Sequence, residues 1–221
     1  MGLFSFSSRF PFPRKQPAVV GPEGGPLTQE HLTQIGEARL RANGFLRAAV
    51  VAHRQMVGLV LMGVITTLLA FFGGFSITAF VMGVWMTVAG VVEGVGEGQI
   101  RRLKPGVFKM LCINQLALAA MLVIISGWWV LRIKLGWEDQ QLSQMTAGVS
   151  QLLGGAGSGS SQQIKSAFHL VAYAAYGSVG LLGLLEGGFT YLYYRYRGKQ
   201  MDLYLNDTAA WILHLHQTGT L

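Results

Sequence analysis

Three stretches of the chain contain no Asp, Glu, Lys or Arg: residues 55–92, 110–131 and 166–185, runs of 38, 22 and 20 residues. A helix needs about 20 mostly apolar residues to cross the hydrocarbon core of a bilayer. The second and third runs each fit one crossing, and the first is long enough for two. In its middle lies Phe71-Phe72-Gly73-Gly74-Phe75-Ser76, a glycine pair set among aromatics, which reads as a tight turn at the membrane surface. The sequence therefore predicts an all-α polytopic membrane protein. Its four transmembrane helices fall at 54–72, 77–98, 108–132 and 166–194 and are arranged as two hairpins, with amphipathic helices at both cytoplasmic ends. Charged residues make up 12% of the chain, against about 25% in an ordinary soluble domain. That shortage excludes a disordered chain and a soluble nucleic-acid binder. The lone Cys112 excludes a disulfide scaffold.

The basic residues set the orientation. Seven precede the first span (Arg9, Arg14, Lys15, Arg39, Arg41, Arg47, Arg54). Four lie between the second and third (Arg101, Arg102, Lys104, Lys109), and three follow the fourth (Arg195, Arg197, Lys199). Only Arg132, Lys134 and Lys165 remain for the other side. Lys and Arg accumulate on the cytoplasmic side of membrane proteins, so both termini are expected in the cytoplasm, with a bacterial inner membrane as the expected home. The net charge of +7 is then chiefly a topology signal, and nucleic acid is not expected as a partner.

Outside the spans, residues 1–26 read as a Pro/Gly-rich cytoplasmic tail and 27–53 as a cytoplasmic amphipathic helix capped by Thr28 and leading into the first span. The segment Met1–Pro13 lacks the unbroken apolar core of a signal peptide, and Phe6 stands where a myristoylation motif wants Ser or Thr. Residues 133–165 form the outer loop, with a partly helical stub over 140–153 and a Gly/Ser tract over 154–161. Residues 195–221 read as an interfacial helix and tail around Trp211, capped by Asn206, Asp207 or Thr208. Docking onto the amino-terminal helix is the other reading of this tail.

Helix two carries Gly90-Val-Val-Glu93-Gly94 and helix four carries Gly183-Leu-Leu-Glu186-Gly187, each followed by a basic stop. The echo suggests two halves related by an axis along the membrane normal. Gly90, Gly94 and Gly98 share one helix face, as do Gly183 and Gly187. Small residues at this spacing let helix backbones approach closely in lipid, where no hydrophobic effect drives helices together. Such faces serve packing within one bundle, a homo-oligomer, or attachment to a larger membrane complex.

Carboxylates within a span are costly and are candidate functional positions. Glu93 lies eight residues before Arg101, about 12 Å of helix, hence towards the inner headgroups. Positions 54 and 93 are equidistant from the glycine turn, which predicts an Arg54–Glu93 ion pair, with His53 as the neighbouring alternative. Glu186 is expected to meet Asn114 and Gln115, either as a structural hydrogen-bond cluster or as a proton or ion site. His214 and His216, two apart, point to different helix faces and make a poor metal pair. Gly94-x-Gly96-x-Gly98 follows no strand, so it is not a nucleotide fingerprint. With no nucleophile and base, metal motif or cofactor box, the expectation is a non-enzymatic protein without a cofactor: a structural or accessory subunit whose first partner is the lipid bilayer. A small transporter or channel using Glu93 and Glu186 is the competing reading.

Overall fold

The computed structural model describes residues 27–72, 76–136 and 158–218, with the side chains of 158–165 excepted. The amino-terminal tail, the glycine turn at 73–74 and the outer-loop stub lie outside the described residues, as does the first part of the Gly/Ser tract. The described chain forms five helices: α1 (Gln29–Phe72), α2 (Ile77–Arg101), α3 (Val107–Lys134), α4 (Ser158–Asp207) and α5 (Ala210–Gln217). The first four are long and apolar enough to cross a membrane, as a membrane-embedded protein requires.

Two helices outrun their expected spans. The helix expected over 27–53 and the first span are one uninterrupted rod, α1, which starts where the Thr28 hydroxyl accepts a hydrogen bond from the His31 amide at 3.3 Å. That bond satisfies one of the amides a helix start leaves free. α4 begins at Ser158 and so takes up the end of the Gly/Ser tract. It continues through the expected stop near residue 194 to Asp207. The chain breaks only at Thr208-Ala209 before α5. Ala209 occupies the cap position and offers no side-chain bond, so the expected Asn206, Asp207 or Thr208 cap is not used. α5 docks on the start of α1 through a Trp211–His31 ring contact at 5.4 Å, and Ile212 is buried.

α1 and α2 pack together along their length, as do α3 and α4. Val60 lies against Gly90 and Met56 against Gly94. Further along, α1 and α2 cross at Gly63 and Gly83, where a Cβ on either glycine would come within 2.7 Å of the other's carbonyl oxygen. Two threonines complete this crossing: Thr67 Oγ1 donates to the Gly63 carbonyl at 2.8 Å and Thr87 Oγ1 to the Gly83 carbonyl at 2.9 Å. Turning each hydroxyl onto its own helix leaves no polar group unpaired in the seam. In the other pair, Gly183 and Gly187 lie against Leu122 and Ala119 of α3, and Trp129 stacks on Tyr176 at 5.3 Å. Gly98 has open space where a Cβ would stand and belongs to neither seam.

The two pairs meet where α1 and α4 extend past the charge-free runs. Ala38, Ala42, Phe45, Ala49 and Ala52 recur every three or four residues and form one buried face of α1. Against it and its surroundings gather Ile100, Leu103, Leu111, Met201, Tyr204 and Ile212. The connection from α2 to α3 is locked into the same core. Leu103 adopts φ +52° with its side chain buried. Its amide donates to the Ile100 carbonyl and the Lys104 amide to the Gln99 carbonyl, both at 3.0 Å. This is the Schellman ending, with leucine in the left-handed position that glycine usually fills.

Candidate functional site: a buried carboxylate shared by four helices

Gly90 and Gly94 turn towards α1, and Glu93, rotated from them on the same helix, faces α3 and α4. Glu93 is 0% exposed. Its Oε1 accepts from Asn114 Nδ2 at 2.9 Å and from Gln115 Nε2 at 2.7 Å, and its Oε2 accepts from the Tyr194 hydroxyl at 2.7 Å. Gln55 of α1 closes the ring: its Oε1 lies 3.0 Å from Gln115 Nε2 and 3.1 Å from the Tyr194 hydroxyl, and its Nε2 donates to Thr190 Oγ1 at 3.4 Å. Asn114 Nδ2 also donates to the Ala89 carbonyl at 3.1 Å. Every long helix thus contributes, and each amide hydrogen of Asn114 and Gln115 has an acceptor. Among the described residues, the hydrogen-bond partners of Glu93 are the neutral side chains of Asn114, Gln115 and Tyr194.

The geometry permits two hydrogen-bond patterns. With Glu93 ionised, the single Tyr194 hydrogen goes to its shorter acceptor, Glu93 Oε2. With a proton on Oε2, the Tyr194 oxygen can accept it while its own hydrogen turns to Gln55 Oε1. Buried polar groups are expensive when left unpaired, and both patterns give a partner to the carboxyl oxygens of Glu93, the amide hydrogens of Asn114 and Gln115 and the hydroxyl of Tyr194.

The expected Arg54–Glu93 pair is not formed: the contacts of Met56 with Gly94 and Val60 with Gly90 set a register that leaves Arg54 just under one helical turn from the level of Glu93, and rotation takes it out of the α2 seam as well. His53 lies on the α1 face that meets α2, together with Met56 and Val60, at helical spacing. Its Nδ1 is 2.8 Å from Glu97 Oε2, and Glu97 Oε1 also accepts from Arg101 Nε at 3.1 Å and Nη2 at 3.0 Å. Arg54 is turned about 100° from that face. Asn114 and Gln115 bind Glu93 rather than Glu186, which corrects the expected Glu186 cluster. Glu186 instead lines a cavity of about 390 Å³ between the two helix pairs, with Arg54, Gln55, Met62, Met86 and Gln115 also on its wall.

Tyr194 and Gln55 are the members that sequence reasoning missed. Tyr194 continues the face of Gly183, Gly187 and Thr190, which packs on α3, and that periodicity is the signal that separates it from its interfacial neighbours. Gln55 is the first residue of the 38-residue charge-free run. The lone thiol, Cys112, donates to the Tyr191 carbonyl at 3.6 Å. Tyr204 Oη and His216 Nδ1 are 3.4 Å apart where α5 docks. Among the described residues, no three His, Cys, Asp or Glu side chains converge as metal ligands. Comparison of the chain with protein-family models, curated proteins and solved structures finds no match.

Proposed function

We propose that this protein is a non-enzymatic integral membrane protein, a structural or accessory subunit built from two helix hairpins, α1–α2 and α3–α4, locked together by the Glu93 ring. One observation carries this reading: Glu93 accepts hydrogen bonds from Asn114, Gln115 and Tyr194, with a donor from each helix of the other pair, so the carboxylate is spent on assembly. The glycine seams of both pairs are filled from within each pair. Association as a homo-oligomer or within a larger membrane complex would therefore use the exposed apolar outer faces, such as Leu68, Leu69, Leu181 and Leu182. The bias of basic residues supports both termini on the cytoplasmic side, and the membrane proposed is a bacterial inner membrane.

The cavity beside the ring favours a second reading, a small transporter or a proton or ion channel. Glu186 lines the space between the pairs, and Gln55 and Gln115, which bond within the Glu93 ring, belong to its wall. Reconstitution of the full chain in liposomes with the variants Glu93→Gln and Glu186→Gln distinguishes the two. The structural reading expects no proton or ion flux under any imposed gradient, and loss of thermal stability when Glu93 becomes leucine. Flux in the wild type that disappears in both glutamine variants while stability is kept would overturn it.

A further inference from the structure

At the inner end of the α3–α4 pair is an open cavity of about 430 Å³ whose wall includes Lys109 and Cys112 of α3 and Tyr191, Arg195, Lys199 and Asp202 of α4. Tyr191, Arg195 and Lys199 recur every fourth residue and form one stripe along α4. Among the described residues, no hydrogen bond or ion pair engages the side chains of Lys109, Arg195 or Lys199. Three uncommitted cations therefore surround one cavity, with Asp202 as its single acid. Its depth is defined by the sequence, since Lys109 is the last charge before the run 110–131. One helical turn towards the membrane centre, the same stripe of α4 offers Gly188, where a Cβ would meet nothing within 4 Å, and α3 offers the exposed Leu116. A cationic cup thus has a small residue and an exposed apolar one beside it, one turn nearer the membrane centre.

We propose that this cup binds the phosphodiester headgroup of an anionic phospholipid of the adjacent leaflet, with one acyl chain lying past Gly188 and Leu116. Basic pockets between helices at a membrane surface suit anionic headgroups, and each Lys or Arg near the surface adds about 1 kcal/mol of attraction. The cavity wall and the Glu93 ring share no residue. The proposal rests on the four membrane spans and is independent of the accessory role.

The test uses the full chain in lipid discs of phosphatidylcholine, alone or mixed with phosphatidylglycerol, and counts the lipid retained after mild detergent extraction. The wild type is expected to retain phosphatidylglycerol in preference. The triple variant K109Q/R195Q/K199Q should retain about tenfold less or lower still. R101Q/R102Q/K104Q removes three charges from the neighbouring loop and should leave the preference intact. Equal losses in the two triple variants, or no preference in the wild type, would overturn the site. Displacement of the lipid by inorganic phosphate would assign the cup to a soluble anion and overturn the lipid proposal. Cys112 gives a reading without mutation: its alkylation by a small neutral reagent should slow several-fold when phosphatidylglycerol is present, and equal rates would count against occupancy. Failure to enter discs of either composition would overturn the four-span reading itself.

Discussion

The Tyr194 hydroxyl donates to Glu93 Oε2 at 2.7 Å across 101 residues of sequence, tying the later part of α4 to α2. Removing that hydroxyl leaves a buried acceptor unpaired, a loss of about 1.5–3 kcal/mol. Tyr194→Phe should therefore lower the midpoint of thermal unfolding in detergent.

Glu93→Gln should be far milder than Glu93→Leu. A glutamine oxygen can still accept from Asn114 and Gln115, its amide can donate to the Tyr194 oxygen, and the tyrosine hydrogen can turn to Gln55. Leucine leaves one amide hydrogen each of Asn114 and Gln115 without an acceptor, and the expected loss is about 2 kcal/mol or more. In a double-mutant cycle, Tyr194→Phe should cost less in the Glu93→Gln background than alone. Full additivity of the two would show that the ring does not act as a unit.

The α1–α2 crossing makes a paired prediction. Gly83→Leu drives side-chain atoms into the Gly63 carbonyl and the Thr67 side chain, and overpacking of this kind costs about 1–3 kcal/mol. Gly98→Ala meets nothing within 4 Å and should gain about 0.5–1 kcal/mol from helix propensity. Thermal unfolding of the two variants in the same detergent checks the opposite signs.

Attachment of α5 should depend on pH. Burial lowers the His216 pKa from the ordinary imidazole value of 6.5, so docked α5 favours the neutral ring and the released segment takes up a proton first. Docking is then fully stable above pH 6.5 and weakens as pH falls through the lowered value. Amide hydrogen exchange over Ala210–Gln217, corrected for its intrinsic pH dependence, should show protection lost on acidification. His216→Phe should remove that pH dependence, and unchanged protection in the wild type at low pH would refute the coupling.

Glu97 provides the contrast to Glu93. It is bonded to His53 and Arg101 at a wetter position, with a side-chain exposure of 19%. Glu97→Gln should cost below about 1 kcal/mol, because partly exposed ion pairs contribute little. A larger loss in thermal unfolding would place Glu97 among the structural clamps.

The spans were legible because a missing charge is a property of every residue in a run, and it survives ignorance of which way each side chain faces. The ring was only half legible for the converse reason. Glu93, Asn114 and Gln115 stand out as polar groups in apolar surroundings, and the hairpin arithmetic came within one helical turn of the depth of Glu93. Depth does not fix rotation, however: one residue along α1 exchanges His53 for Arg54 and moves the side chain from the α2 seam to the cavity. Tyr194 was hidden among aromatics that differ from it only in helical phase. The continuous course of α4 past Arg195 was obscured because basic residues stop a membrane span without stopping a helix.

The main buried cluster lies around Phe45, Met201 and Tyr204, beyond the charge-free runs, so two solvents govern the stability of this protein. Melting that base exposes apolar side chains to water and should absorb heat with the large positive heat-capacity change of an ordinary soluble core. Separating the helix pairs within lipid exchanges one hydrocarbon contact for another and should leave almost no such calorimetric trace.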